Sequence, residues 1–177
     1  MKNLSFDNQS QLQIYRAVQT LLFTKPSIKR VQELTPLLTS NISTFTAEHL
    51  MSFDSYVVLS FSIAICKLDR KDLQSLIDKQ MDNFQIVLQN ETCKLLLDVV
   101  NCQYEKFPQA IGSLVQFLKS NFYLQNYAKT VMNLFKAKVY DQYLKTYNSV
   151  LLDKVSSDFQ IQTAALRKEL EYFIFTE

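Results

Sequence analysis

The chain has 177 residues, room for about one domain or one domain with a small appendage, and long enough to bury a sizeable core. Lys and Arg number 19 against 17 Asp and Glu, a formal charge of +2, which excludes a polycationic grip on nucleic acid. A single glycine cannot supply a phosphate-cradling loop, a dinucleotide fingerprint or a nucleophile elbow, and a single histidine removes most zinc and acid–base schemes. A hydrophobic fraction of 47% with 20% charged residues fits a folded globular chain rather than a disordered one.

Almost every segment repeats at the helical period. Leu12, Tyr15, Val18 and Leu22 form one apolar stripe, and Pro26 stops that helix. Ser27 caps a short second helix with Ile28, Val31 and Leu34 inward, ended or kinked at Pro36, and 39–46 reads as a polar connector. Ser52 or Asp54 caps a helix running to Lys67 whose residues are apolar nearly all round, so it belongs at the centre of the core. Asp69 with Asp72 resembles a capping box, followed by Leu73, Leu76 and Ile77 facing inward. Phe84 to Leu88 is a short helix or an extended link. Asn90 caps a helix through Cys102, and Pro108 fits the first turn of the next. Gly112 lies inside that helix, where a close crossing would explain it. A long periodic stretch covers 124–147.

Consecutive short helices without a fixed consensus predict an all-α fold, an irregular helical-repeat (α-solenoid, tetratricopeptide-like) array. It occupies 1–147. The last thirty residues differ: Ser149 to Leu152 is strand-competent, Asp153 to Phe159 a short helix, and Thr163 caps a helix with Leu166, Leu170, Phe173 and Ile174 inward. Strand, short helix, turn and longer helix is the core order of a winged helix-turn-helix, placed at 148–177.

The string from Tyr140 to Leu152, then Val155-Ser156, Phe159, Leu166, Glu169-Leu170 and Phe173-Ile174, resembles the winged part of PCI domains, the scaffold modules of the proteasome lid, the COP signalosome and translation initiation factor three. Upstream, Asp54 to Val58, Ala64 to Gln74, and Asp98 to Tyr104 with Phe107 resemble the branch of signalosome subunit one and the seventh non-ATPase subunit of the proteasome regulatory particle, leaning toward the former. The resemblance covers roughly 50–177. It departs from the family where Gln160 stands in place of a glycine, and no two-stranded wing follows the last helix before Glu177, so the winged helix reads as incomplete.

What the resemblance implies is a non-catalytic scaffold that mediates assembly of the COP signalosome, the complex that removes a ubiquitin-like modifier from cullins. The alternatives are a proteasome lid subunit, or a winged-helix adaptor for RNA, DNA or initiation factor three. Its partners are other PCI subunits, without cofactor, metal or small-molecule substrate. The surface expected to carry assembly is Ser149, Val150, Leu151 and Leu152 with Thr163, Leu166, Arg167 and Leu170 on the last helix.

Chemistry read from the residues agrees. His49 lacks a marked nucleophile or second base, and Asp69, Asp72 and Asp78 fit helix capping better than acid–base work. Arg167, Lys168, Glu169 and Glu171 on the last helix sum to zero, which argues against duplex DNA. Lys129, Lys136, Lys138 and Lys145 suggest a basic stripe, more plausibly a solvated face than an RNA contact. Cys66, Cys93 and Cys102 read as small buried hydrophobes rather than a disulfide framework or a zinc knuckle. The polar start, 1–13, lacks a cationic, apolar leader, and no apolar run reaches the roughly 20 residues of a membrane span. A cytoplasmic and nuclear location is expected.

Overall fold

The computed structural model describes residues 6–176 apart from 41, 44 and 46. Positions 1–5, three residues of the expected connector, and Glu177 therefore lie outside the described residues. The fold is all-α: the described residues form ten α-helices and two 3-10 turns in the order α1 (Phe6–Phe23), α2 (Ile28–Thr39), α3 (Phe53–Lys67), α4 (Arg70–Lys79), α5 (Met81–Gln89), α6 (Glu91–Val100), α7 (Phe107–Ser120), α8 (Ala128–Leu144), α9 (Leu152–Asp158) and α10 (Thr163–Thr176). The 3-10 turns, Tyr104–Lys106 and Gln125–Tyr127, lead into α7 and α8.

Four helix starts are fixed by the residues expected to fix them. Ser27, Ser52, Asp69 and Asn90 each accept a backbone N–H three residues on, from Arg30, Ser55, Asp72 and Cys93. Pro108 occupies the first turn of α7. Pro36 does not end α2, which runs on to Thr39 with the proline inside it.

Neighbouring helices pack in sequence: α1 on α2, α2 on α3, α5 on α6, α6 on α7, α7 on α8 and α9 on α10. The array also folds back on α3, which meets α2, α5, α6 and α8. Every residue of α3 from Tyr56 to Cys66 is buried. The buried Ser60 and Ser62 hydroxyls donate to the Tyr56 and Val58 carbonyls, so the helix carries polar groups inside without an unpaired donor. Each large apolar side chain buried this way contributes roughly 1.5–3 kcal/mol. One apolar core runs from Ile14 in α1 to Leu166 in α10.

Several inward faces differ from expectation. In α1 the buried stripe is Ile14, Ala17, Val18 and Leu21, while Leu12 and Tyr15 are exposed. The true stripe is rotated by one position because α2 and the 3-10 turn before α8 cover that side. Ile28 is exposed at the start of α2, and Ile174 near the end of α10. The stretch 84–88 is helical, within α5, and α6 stops at Val100. Gly112 has no neighbour within 4 Å of where a Cβ would stand, so no close helix crossing requires it. The run from Ser149 to Leu152 is not a strand. Leu151 has extended backbone angles (φ −75°, ψ 138°), but the described residues offer no strand to pair with it, and Leu152 opens α9.

Candidate assembly surface

The residues singled out for assembly lie on a short hairpin, α9 and α10, and on the segment 149–151 that leads into it; the hairpin is clamped onto α8. The clamp starts from Phe159, the residue after α9, which is fully buried. Its ring stacks on Tyr104 at 5.0 Å and meets Phe107, Tyr140 and Tyr143 at 5.1–5.3 Å. Aromatic pairs in these geometries each add about 0.5–1.5 kcal/mol beyond their burial. Polar contacts close both sides. Tyr143 donates to Asp158 at 2.6 Å, and Lys154 donates to the other oxygen of the same carboxylate at 2.7 Å. These two donors hold the Asp158 carboxyl below its ordinary value.

On α10, Glu169 accepts from Lys136 at 2.5 Å and from Tyr140 at 2.7 Å, both on α8. Burial first, and this carboxylate second, push the Tyr140 phenol well above its ordinary value. Lys138, on the same helix, turns the other way. It donates to the Ile65 carbonyl at 2.7 Å and to Leu68, capping the C-terminal end of α3. Burial lowers its pKa. The expected basic stripe is therefore divided: Lys136 and Lys138 point into the fold, Lys145, just past the end of α8, pairs with Asp141 in its last turn, and Lys129 stands apart.

The tight link after α9 carries its own geometry. Gln160 has φ 52°, the left-handed region where glycine is favoured. Thr163 does not cap α10, whose first backbone acceptor is the Gln162 carbonyl. Its hydroxyl lies 3.1 Å from Asp153 and 3.0 Å from the Ser156 hydroxyl, tying α10 back to α9.

On this frame the expected interface residues separate. Leu151 is 79% exposed, Ser149 and Arg167 are exposed, and Val150, Leu152, Thr163 and Leu170 are half-buried. Leu166 is fully buried and offers a partner no surface; it holds α10 against the core. Ile174, expected inward, and Phe175, to which no place was given, are exposed apolar groups at 72% and 84%.

The other residues weighed for chemistry are placed as follows among the described residues. His49 is exposed and hydrogen-bonds Tyr15. Asp69 caps α4, and Asp78 accepts from Gln74. No group of three or more His, Cys, Asp or Glu able to hold a metal occurs among the described residues, and none of their helices is long and apolar enough to cross a membrane. Cys66 and Cys93 are buried, and burial pushes both thiols up to about 12. Cys102 departs from expectation: it is exposed and sits at φ 71°.

An all-helical core carrying a clamped C-terminal hairpin defines the class. No family model matches the chain. Relatives are found among proteasome subunits. The chain is 24% identical over 170 residues to the 26S proteasome non-ATPase regulatory subunit 6 of Oryza sativa subsp. japonica, covering 96% of this chain and 42% of the relative. It is 24% identical over 172 residues to the subunit of the same name in Dictyostelium discoideum (96% and 43%). It is 24% identical over 156 residues to the 26S proteasome regulatory subunit RPN7 of Saccharomyces cerevisiae (84% and 36%). The chain thus spans about two-fifths of the length of the curated relatives it matches. The similarity reaches over nearly the whole chain, beyond the 50–177 stretch that carried the sequence resemblance. The names are of proteasome regulatory subunits, the branch held as the alternative to the signalosome.

Proposed function

We propose that this chain is a non-catalytic scaffold of PCI type that assembles with other PCI subunits of a proteasome regulatory-particle lid, or of a complex built on the same plan. The observation that carries the reading is the similarity over 96% of the chain to proteasome regulatory subunits whose name includes "non-ATPase". The helical array at 1–147 supplies the arm, and the hairpin at 148–177, in the position of a winged helix, supplies the contact. Exposed Leu151, Ser149 and Arg167, with half-buried Val150, Leu152, Thr163 and Leu170 around them, form the contact patch. Affinity there comes from desolvated apolar anchors within a polar rim. Cytoplasm and nucleus are the expected compartments.

The test is affinity purification of the tagged chain from its own cells with mass spectrometry of its partners. Proteasome regulatory subunits are expected, and Leu151→Asp should lower their recovery about tenfold or more while leaving the circular dichroism spectrum unchanged, because a carboxylate would be buried unpaired at the contact. Recovery of signalosome subunits would move the assignment to that complex. Recovery of RNA or initiation factors, or normal incorporation of Leu151→Asp, would overturn the proposed assembly role of this surface.

A further inference from the structure

Between the first turn of α2, the middle of α8 and the C-terminal half of α10 runs a groove of about 430 Å³. Ile28, Leu134, Ala137 and Phe173 give it an apolar lining, with Tyr172 alongside. Ile28 and Tyr172 keep 55% and 46% of their surface exposed, so the groove presents apolar area that the fold itself leaves uncovered. It continues along the α8–α10 seam past Lys129, Lys136 and Lys168. The charged groups on this lining are those three lysines and Glu169, and Glu169 is already engaged by Lys136 and Tyr140. Among the described residues no carboxylate pairs with Lys129 or Lys168. The first turn of α2, which borders the groove, carries no acidic residue.

An apolar trough with two uncommitted ammonium groups on its edge is complementary to one kind of partner. We propose that the groove docks an acidic peptide segment bearing an apolar anchor, a Leu or Phe side chain, seated between Ile28 and Phe173 with carboxylates on Lys129 and Lys168. The anchor supplies desolvation, and the charges set orientation and partner choice. The seam thus carries three lysines against one carboxylate, and that carboxylate is already engaged within the fold. The site uses residues other than the assembly patch and goes beyond the scaffold reading: it gives the scaffold a second contact, for a short flexible segment rather than a folded subunit.

The probe is a fluorescein-labelled ten-residue peptide of Asp and Glu with one Leu and one Phe at helical spacing, titrated against the full chain by fluorescence anisotropy. Saturable binding is expected. Peptides with the acids amidated to Asn and Gln, or with Leu and Phe replaced by Ser, should bind about tenfold more weakly. The exposed double reversal Lys129→Glu with Lys168→Glu should lose a similar factor, with an unchanged melting curve. Ala137→Phe, which fills the groove, should abolish binding; Ile28→Ser, at an exposed position, serves where that variant fails to fold. Equal binding of the control peptides, undiminished binding by both the charge-reversal and the Ile28→Ser variants, or no binding of the probe would overturn the proposal. So would preferential binding of an oligouridine RNA through the same lysines, which would make nucleic acid the occupant. Partner recovery in the purification does not depend on this titration, so the two readings fail separately.

Discussion

Gln160→Gly is expected to stabilise the protein, and the reason lies in how α9 ends. The Gln160 N–H donates to the Ser157 carbonyl at 3.2 Å and the Ile161 N–H to Ser156 at 3.1 Å. That pair of bonds is a Schellman motif, which needs its middle residue left-handed, and Gln160 complies with φ 52°. A Cβ in that conformation costs about 1–2 kcal/mol. Glycine removes this cost but loses more freedom on folding, which offsets roughly 0.5–1 kcal/mol of the gain. The exposed glutamine side chain gives up little packing. The net expectation is about 0.5–1 kcal/mol of stabilisation, or a Tm higher by about 1–4 °C at this chain length. Urea unfolding followed by circular dichroism should show a higher midpoint with an unchanged slope. Gln160→Val, β-branched in the same conformation, should fall about 1 kcal/mol below the parent. A Gly variant no more stable than the parent, or a Val variant equal to it, would refute the left-handed turn.

Three further expectations follow from single features. Gly112→Ala should add about 0.8–1 kcal/mol in the same urea assay, since nothing stands within 4 Å of the new methyl group; destabilisation would mean that α7 has a neighbour there. Cys102 is exposed while Cys66 and Cys93 are buried, so a thiol reagent should label one cysteine rapidly in the folded protein and all three in denaturant; rapid labelling of two in the native state would contradict the packing of α3 and α6. Folding raises the Cys66 and Cys93 thiols from 9.0 to about 12, so the stability they contribute is complete below about pH 9 and declines from there toward about 12. The buried tyrosines at 56, 140 and 143, also raised, act in the same direction, and Lys138, lowered, acts against them. Melting temperature should therefore fall steadily between pH 9 and 11, and a flat profile would refute the burial of these groups.

Local signals made the helix starts readable, and remote partners hid the rest. Ser27, Ser52, Asp69 and Asn90 announce helices because a capping side chain needs only an N–H three residues away. The centrality of α3 follows from an apolar run with no polar face. Helix ends were harder. Both α6 and α9 close with Schellman motifs whose left-handed positions hold Cys102 and Gln160, in a chain whose one glycine lies elsewhere, inside α7. The register of α1 was ambiguous because Leu12–Tyr15 and Ile14–Ala17–Leu21 both satisfy helical spacing; contacts with α2 select the second. The lysines of α8 looked like a stripe because their partners are far along the chain: Ile65 and Leu68 for Lys138, Glu169 for Lys136. Of the expected assembly residues, Leu151 and Arg167 are free to meet a partner, while Leu166 is not, because periodicity places it on α10 without saying that the inward side of α10 is filled.

The contacts that hold the hairpin bear on the assembly role proposed for it. Association loses roughly 0.5–1.5 kcal/mol for each flexible side chain it must immobilise, so a contact patch gains when its base is already fixed. Here Phe159 sits in a box of four aromatic rings, Asp158 is held by Tyr143 and Lys154, and Glu169 is held by Lys136 and Tyr140. These contacts flank the segment 149–151, where Leu151 has extended backbone angles and stands out at 79% exposure. An exposed leucine on a fixed base would give a partner an apolar anchor at low ordering cost, under the assembly role proposed above. Phe23 and Phe122 are comparably exposed, at 80% and 66%, but take no part in this clamp.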